Sequence, residues 1–441
     1  MQKSNFSFSI IDPRKFPFFY GWIIIVVGAL GVLMSAPGQT IGVSAFTDSL
    51  LDALSLSRDQ LSIAYMIGTM ISSIMLTRAG IFFDKFGAAR TGLIASIGLA
   101  IALLYLSQID KISTAIGGSS LIALIAILLG FIFIRFFGQG VLTLTGRTMV
   151  VKWFDERRGL AIGILSMVTA YGFSIAPVVF DYLINQGNWS TAWIKISIVA
   201  GIIFPIIIII FFKDGPENFG LNPDGFSSKR KSTNKPIRFP IHKEFTLSEA
   251  RRTLSLWVFS GLAAMFGMVV TAFSFHVVSF FAEQGFSRSE AINIFQPIAI
   301  VAIVATLVIS YISDYLKLKY IAMLFATTCL LTIYGMYNLS MTGFNYWILI
   351  FSYGCSSGIH ALMIAIFMPR FFGKKHLGAI TGQAMTVVVF CSALGPILFS
   401  LSLSQTGSYK LAAIICACIF LTLLIASVFT NNPQEKLLPK G

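Results

Sequence analysis

Charge is what this sequence has least of: 11% of its 441 residues are charged and 56% are hydrophobic, whereas soluble domains carry about 25% charged residues. That shortage excludes the two or three soluble domains that the length alone would allow. Carboxylates are missing where a proton carrier needs one. No Asp or Glu falls near the middle of a long apolar run; Asp48 and Glu283 lie at run ends and Asp181 at most a few turns from one. Proton symport through a central carboxylate is thereby weakened. The five cysteines (Cys329, Cys355, Cys391, Cys416, Cys418) all sit inside apolar runs and none has C-x2-C spacing, so they read as packing residues rather than metal ligands or disulfides. H-E-x-x-H, G-x-S-x-G and Walker-type phosphate loops are absent in any credible context. No enzyme, no cofactor and no metal site is expected, and ATP-driven transport on this polypeptide is disfavoured. The stretch before the first long run, with Lys3, Arg14 and Lys15, carries no cleavage site and reads as no signal peptide.

What the chain does have is apolar runs of about 20 residues, each long enough to cross a hydrocarbon core about 30 Å thick. Twelve are expected, at 20–47, 60–82, 90–108, 120–150, 160–184 and 191–212, then at 253–281, 290–315, 319–340, 345–369, 378–403 and 408–430. The reading is an all-α polytopic membrane protein of two six-helix bundles, 20–212 and 253–430. The polar stretch 213–252, with Pro216, Pro223, Pro236, Pro240 and the cluster Lys229-Arg230-Lys231, joins them as a linker, and 1–19 and 431–441 form short polar termini.

The net charge of +14 is a topology signal rather than a nucleic-acid footprint. About 25 of the 32 Lys and Arg fall in alternate connections, against about 5 in the opposite ones, as the positive-inside rule requires. Both termini and the linker are therefore expected on the cytoplasmic side. Contact with anionic lipid follows from the same charge, and a monomer is expected. All six tryptophans fall near run ends, where headgroup placement is expected.

The chain repeats itself. Shifted by 219, Gly159, Gly163 and Pro177 fall on Gly378, Gly382 and Pro396, and Trp153 falls on Phe372. Shifted by 230, Ser57-Arg58 falls on Ser287-Arg288, Gly80 on Ser310 and Asp84 on Asp314. A hinge present once per half marks a chain built as two copies of one unit.

The turn Gly80-Ile-Phe-Phe-Asp84-Lys85-Phe-Gly87-Ala-Ala-Arg90 places a membrane-edge carboxylate among cations and glycines that permit a tight turn. An ordinary solvated loop is the plainer reading. The turn resembles the signature G-x-x-x-D-R/K-x-G-R-K-R of the major facilitator superfamily of secondary transporters. Gly80, Asp84, Lys85, Gly87 and Arg90 match; Ala88 and Ala89 depart, and in the second copy Ser310 replaces the glycine while Asp314 is kept. The resemblance, which covers the whole chain, implies that Asp84 latches the halves on the cytoplasmic side in an outward-open state. Its implied partners are among Arg147, Arg157, Arg158 and Lys375.

Arg135 lies about halfway along its apolar run. An arginine at that depth costs roughly 2.5–3.5 kcal/mol on insertion scales and so needs a polar interior or a partner. Its context R-F-F-G-Q-G resembles the family's R-x-x-Q-G-x-G, with one extra residue before the glutamine. Two roles stay open: binding backbone carbonyls or amides such as Gln39 to hold helices together, or gripping an anionic solute bidentately. The first run contains Ala36-Pro37-Gly38-Gln39-Thr40-Ile-Gly42-Val43-Ser44, whose Pro and Gly loosen a helix. The resemblance places runs one, four, seven and ten around a central cavity, making Gln39, Thr40 and Ser44 candidate pocket residues. His276 and His360 are titratable candidates with a structural hydrogen-bonding role as the alternative; Tyr171, Gln296, Gln383 and Tyr65 are further ones.

A secondary transporter working by alternating access is the leading reading. The G-W of the first run, the S-R turns and W-F-x-x-R-R-G-x-A-x-G look like bacterial members near the monocarboxylate and oxalate/formate branch, which implies a small organic anion as solute. The competing reading is export or import of a larger amphipathic compound, a drug or siderophore, which the 41 phenylalanines would accommodate. A non-translocating membrane sensor would carry a regulatory domain, and none is visible.

Overall fold

The computed structural model describes residues 11–225 and 241–437. The cluster Lys229-Arg230-Lys231, Pro236, Pro240 and the two ends of the chain lie outside the described residues. Among the described residues ten helices are long and apolar enough to cross a membrane. One of them, Asp59–Ser107, is two spans in sequence: at Gly87 the backbone turns to φ 81, ψ 177, which breaks the helix. A broken first span, Gly21–Met34 followed by Ala36–Gly38, Thr40–Ser44 and Thr47–Leu54, completes a set of twelve, numbered here one to twelve in chain order. The fold is thus all-α, with twelve spans as two six-helix bundles.

Why these residues form helices follows from their ends and faces. Ser57 accepts from the Gln60 amide and Gln60 reciprocates, a capping box that starts span two. Ser119 caps span four and Asn188 caps span six in the same manner. Between the caps the outward faces are apolar: Ile125 and Ile202 are more than half exposed. On a soluble protein such faces would aggregate, but in hydrocarbon they are solvated, and the backbone groups of an unbroken helix are satisfied within it.

Contact clustering gives two compact units. The first holds 1–155, 165–235 and 381–383, and the second holds 156–164, 236–380 and 384–441. In the first unit, spans one and four meet at glycines: a Cβ on Gly146 would lie 2.6 Å from the Gly28 carbonyl oxygen. Small residues here let the backbones touch. Ser96 in span three donates to the Ala200 carbonyl in span six. In the second unit, span ten is bound to span nine by hydroxyls, Ser356 to Thr328 at 2.9 Å and Thr332 to Ser352 at 3.2 Å. Interhelical hydroxyl pairs of this kind stabilise membrane bundles.

Two tryptophans differ from the headgroup expectation. Trp153 and Trp193 are almost wholly buried. The Trp153 indole donates to the Lys213 carbonyl at 3.0 Å, and Trp193 stacks on Phe46 at 3.8 Å. Their rings serve the core because each finds an apolar wall and, for Trp153, a carbonyl for its N–H.

Candidate functional site

The first unit concentrates its polar residues where span one breaks. Helix ends at Met34, a tight turn covers Ala36–Gly38, and Gln39 is extended at φ −80, ψ 156 before helix resumes at Thr40. Pro37 cannot donate, and the break frees the Gly38 carbonyl from the helical ladder. Arg135 of span four takes it, donating through Nη1 at 3.0 Å. The guanidinium also lies 5.0 Å from the Tyr65 ring centroid and reaches the Thr40 hydroxyl at 3.5 Å. Tyr65 in turn donates to Thr40 Oγ1 at 2.9 Å. Arg135 is 3% exposed, Thr40 is exposed and Tyr65 half-buried. Arg135 Nε has no hydrogen-bond partner among the described residues.

The extra residue in R-F-F-G-Q-G has a structural counterpart. Arg135–Leu142 is a π-helix, whose wider turn absorbs one additional residue and recurs at functional sites. Within it Gly138 meets Gly38 backbone to backbone; a Cβ on Gly138 would lie 3.0 Å from the Gly38 Cα. Below the break Gln39 donates to Ser35 at 2.9 Å and to Thr143 at 3.3 Å. Thr143 donates to Ser35 at 3.1 Å. Thr40, Tyr65 and Arg135 are therefore one cluster, and Gln39, the residue before Thr40, bonds to Ser35 and Thr143 beside it.

The other solute candidates have surroundings of their own. Ser44 is exposed and turns back to the Ile41 carbonyl at 2.9 Å. Tyr171, on span five, is 71% exposed. Gln296 is exposed at the start of span eight, and Gln383, half-buried, belongs with 381–383 to the first unit. In the second unit a His276 ring nitrogen is 2.9 Å from the Pro396 carbonyl oxygen in span eleven, with the Tyr409 ring 5.4 Å away. His360 is lined by the rings of Phe266 at 5.1 Å and Phe325 at 6.4 Å.

The turn after span two forms a second feature. Gly80 is buried and Asp84 half-buried in the helix that leads to Gly87. At Gly87 the positive φ suits only glycine, and the Asp214 carboxylate fills the space a Cβ would take. The Ala88 amide donates to Asp214 Oδ1. Burial pushes the Asp214 carboxyl up, against the opposing pull of that hydrogen bond and of Lys152, Lys213 and Arg90. Lys85 and Lys152 lie over Phe86 and Phe83 at 5.1 and 4.6 Å. Asp214 was not among the candidates read from sequence. Its signal was a carboxylate directly after an apolar run, inside a basic connection.

In the second unit Arg370 donates to the Ser313 carbonyl at 2.5 Å and pairs with Asp314 at 3.4 Å. Sequence reading had counted Arg370 only as topology charge. Ser310, which replaces the signature glycine, donates its hydroxyl to the Gly159 carbonyl. A Cβ on Gly159 would lie 2.9 Å from an Asp314 carboxylate oxygen. Arg158 is buried and Arg157 exposed, Arg147 is half-buried in span four, and the Lys375 amide donates to Glu244 at 2.8 Å.

With this geometry in hand, the family model described as Major Facilitator Superfamily matches residues 28–396. Monocarboxylate transporter 12 of Rattus norvegicus is 22% identical over 415 residues, covering 88% of this chain and 77% of the relative. The Mus musculus protein of the same name is 22% identical over 418 residues, covering 88% and 78%. A solved structure, a bacterial homologue of the iron transporter ferroportin in an outward-facing state, superposes with a TM-score of 0.66 at 12% identity. It covers 92% of this chain and 98% of its own.

Proposed function

This chain belongs to the major facilitator superfamily, and from that premise we propose that it carries a small organic anion of the monocarboxylate class by rocker-switch alternating access. The observation that carries the anion reading is the Arg135 cluster. A buried cation without a carboxylate partner among the described residues sits beside two hydroxyls, Thr40 and Tyr65, of which Thr40 is exposed. In a low-dielectric wall its charge is felt several ångströms away, so the hydroxyls orient an incoming carboxylate while Arg135 supplies the attraction. The monocarboxylate transporter 12 relatives point to the same solute class. Gln39 lies beside this cluster. Ser44, Tyr171, His276, His360, Gln296 and Gln383 are the other proposed solute contacts. Gly80, Asp84, Lys85, Gly87, Arg90, Arg147, Arg157, Arg158, Asp314 and Lys375 are the proposed inner gate. The proposed setting is a bacterial inner membrane, with both termini cytoplasmic and the chain monomeric.

The test is flux into proteoliposomes of a panel of radiolabelled small monocarboxylates and neutral analogues, with and without a pH gradient. The expected result is saturable acid uptake, competed by other acids and lost in Arg135→Ala. Undiminished uptake of the acids in that variant overturns the anion reading. A second reading, a larger amphipathic compound such as a drug or siderophore, is favoured by the aromatic surround of His360 from Phe266 and Phe325. Arg135-independent transport of a neutral aromatic compound is its signature.

A further inference from the structure

The linker 213–252 was read as a tether, but its described ends are fastened. In the first unit the Asp155 amide donates to Asp224 Oδ2 at 3.0 Å. In the second the Lys375 amide donates to Glu244 Oε2 at 2.8 Å. Asp155 and Lys375 lie in the duplicated turns that open spans five and eleven, at positions one residue apart under the offset of 219. The residues before them are held as well. Trp153 donates its indole N–H to the Lys213 carbonyl, and the carbonyl of its twin Phe372 accepts from the Phe245 amide at 2.9 Å. The rings of Phe245 and Phe372 meet edge to face at 5.8 Å.

A third carboxylate repeats the pattern. Asp214 accepts from the Ala88 amide at the start of span three. The glycines beside two of these carboxylates share one backbone conformation, Gly87 at φ 81, ψ 177 and Gly373 at φ 84, ψ −172. In both, the space of the missing Cβ is occupied by the carboxylate, Asp214 against Gly87 and Glu244 against Gly373. A carboxylate next to the first amides of a helix is held by charge-assisted hydrogen bonding and by the helix dipole. The same device occurring three times, on three turns, from one connecting segment is a construction rather than a coincidence of surface charge.

We propose that the linker is a strap in which Asp214, Asp224 and Glu244 act as positioning residues, fixing the starts of spans three, five and eleven. The segment is held just before Glu244 as well, where the His242 and Lys243 amides donate to Gln434 Oε1 at 2.9 and 3.0 Å. Releasing one carboxylate frees one turn and leaves the rest of its helical bundle in place. The proposal does not depend on which solute is carried.

The test is amide hydrogen exchange of the full chain in nanodiscs. Loss of a charge-assisted bond predicts exchange roughly tenfold or more faster at the freed amides. In Asp224→Ala that increase is expected at 155–158 and not at 374–377; in Glu244→Ala the reverse. Asp224→Asn and Glu244→Gln, which keep an acceptor oxygen in place, restore most of the protection. Glu244→Asp, which keeps the charge but withdraws it by one methylene, raises exchange at 374–377 and stands in if an alanine variant does not fold. Unchanged exchange at the named turns overturns the proposal. So does an increase spread along the whole of spans five or eleven, since the carboxylates would then be supporting the bundle at large.

Discussion

Arg135 is tied to Gly38 by a hydrogen bond of 3.0 Å from its Nη1 to a carbonyl that the break in span one releases. That bond joins two irregularities, the broken turn at Ala36–Gly38 and the π-helix Arg135–Leu142, and neither is independent of the other. The guanidinium gains a buried acceptor, the orphan carbonyl gains a donor, and the Thr40 hydroxyl, 3.5 Å from the same Nη1, accepts from Tyr65.

Tyr65 separates the ring from the hydroxyl. Tyr65→Phe keeps the ring 5.0 Å from the Arg135 guanidinium but removes the bond to Thr40. Its expected effect is a KM for the transported acid higher by about 3–10-fold, as one hydrogen bond near 1 kcal/mol implies, with the thermal midpoint nearly unchanged. Tyr65→Ala also uncovers the cation and lowers the midpoint. Flux and thermal unfolding measured on the same preparations distinguish the two effects; equal KM values in wild type and Tyr65→Phe exclude the hydroxyl from the solute path.

Gly138 is predicted to tolerate no side chain. A Cβ there meets backbone, 3.0 Å from Gly38 Cα and 3.3 Å from the Ser35 carbonyl oxygen, and backbone cannot swing aside as a flexible side chain does. Gly138→Ala is expected to cost about 1–3 kcal/mol through overpacking and to pull Arg135 away from the Gly38 carbonyl. Thermal unfolding in detergent checks the first and solute affinity the second.

The fold was legible because a bilayer imposes a long-range rule on composition: Lys and Arg collect on one side, apolar runs repeat, and two offsets expose a duplication. The Arg135 cluster was half legible. Arg135 announced itself by depth and Gln39 and Thr40 by their place beside Pro37 and Gly38, and the additional residue before Gln139 was visible as an offset. That this residue becomes a π-turn, and that Tyr65 supplies the face for the guanidinium, depends on how spans one, two and four pack. Asp214, Asp224 and Glu244 were read as loop charge for the same reason, since an acceptor for a backbone amide across a sequence gap leaves no periodic trace.

Gly159 and Ser310 predict opposite outcomes for two small changes. Ser310 stands where the first copy of the turn has Gly80, and its hydroxyl bonds the Gly159 carbonyl. Ser310→Gly restores the repeat and loses one hydrogen bond, so a stability loss of about 1 kcal/mol and retained transport are expected. Gly159→Ala drives a methyl against the Ser310 carbonyl and the Asp314 carboxylate. Transport is expected to fall at least about tenfold, the effect of roughly 1.4 kcal/mol on the rate-limiting step. Comparable rates in the two variants would mean that the close approach of Gly159 to Ser310 and Asp314 does not limit transport.

Asp214 carries a pH dependence of unusual direction. Burial raises its carboxyl above the ordinary value of 3.8, outweighing the Ala88 amide and the three nearby cations. A carboxyl that holds its proton more tightly in the folded chain favours the fold below its unfolded value and withdraws that support as pH rises through the folded one. This is the reverse of a salt-bridged carboxylate, whose support is lost on acidification. Asp214→Asn cannot ionise, yet its amide oxygen can still accept from the Ala88 N–H. Relative to this variant, the wild-type thermal midpoint is therefore expected to fall as pH is raised from below 3.8 toward neutrality, and the variant is expected to be the more stable at pH 7. A wild-type midpoint that instead rises over this interval relative to Asp214→Asn would mean that Arg90, Lys152 and Lys213 outweigh burial and that Asp214 acts as an ordinary ion-pair partner.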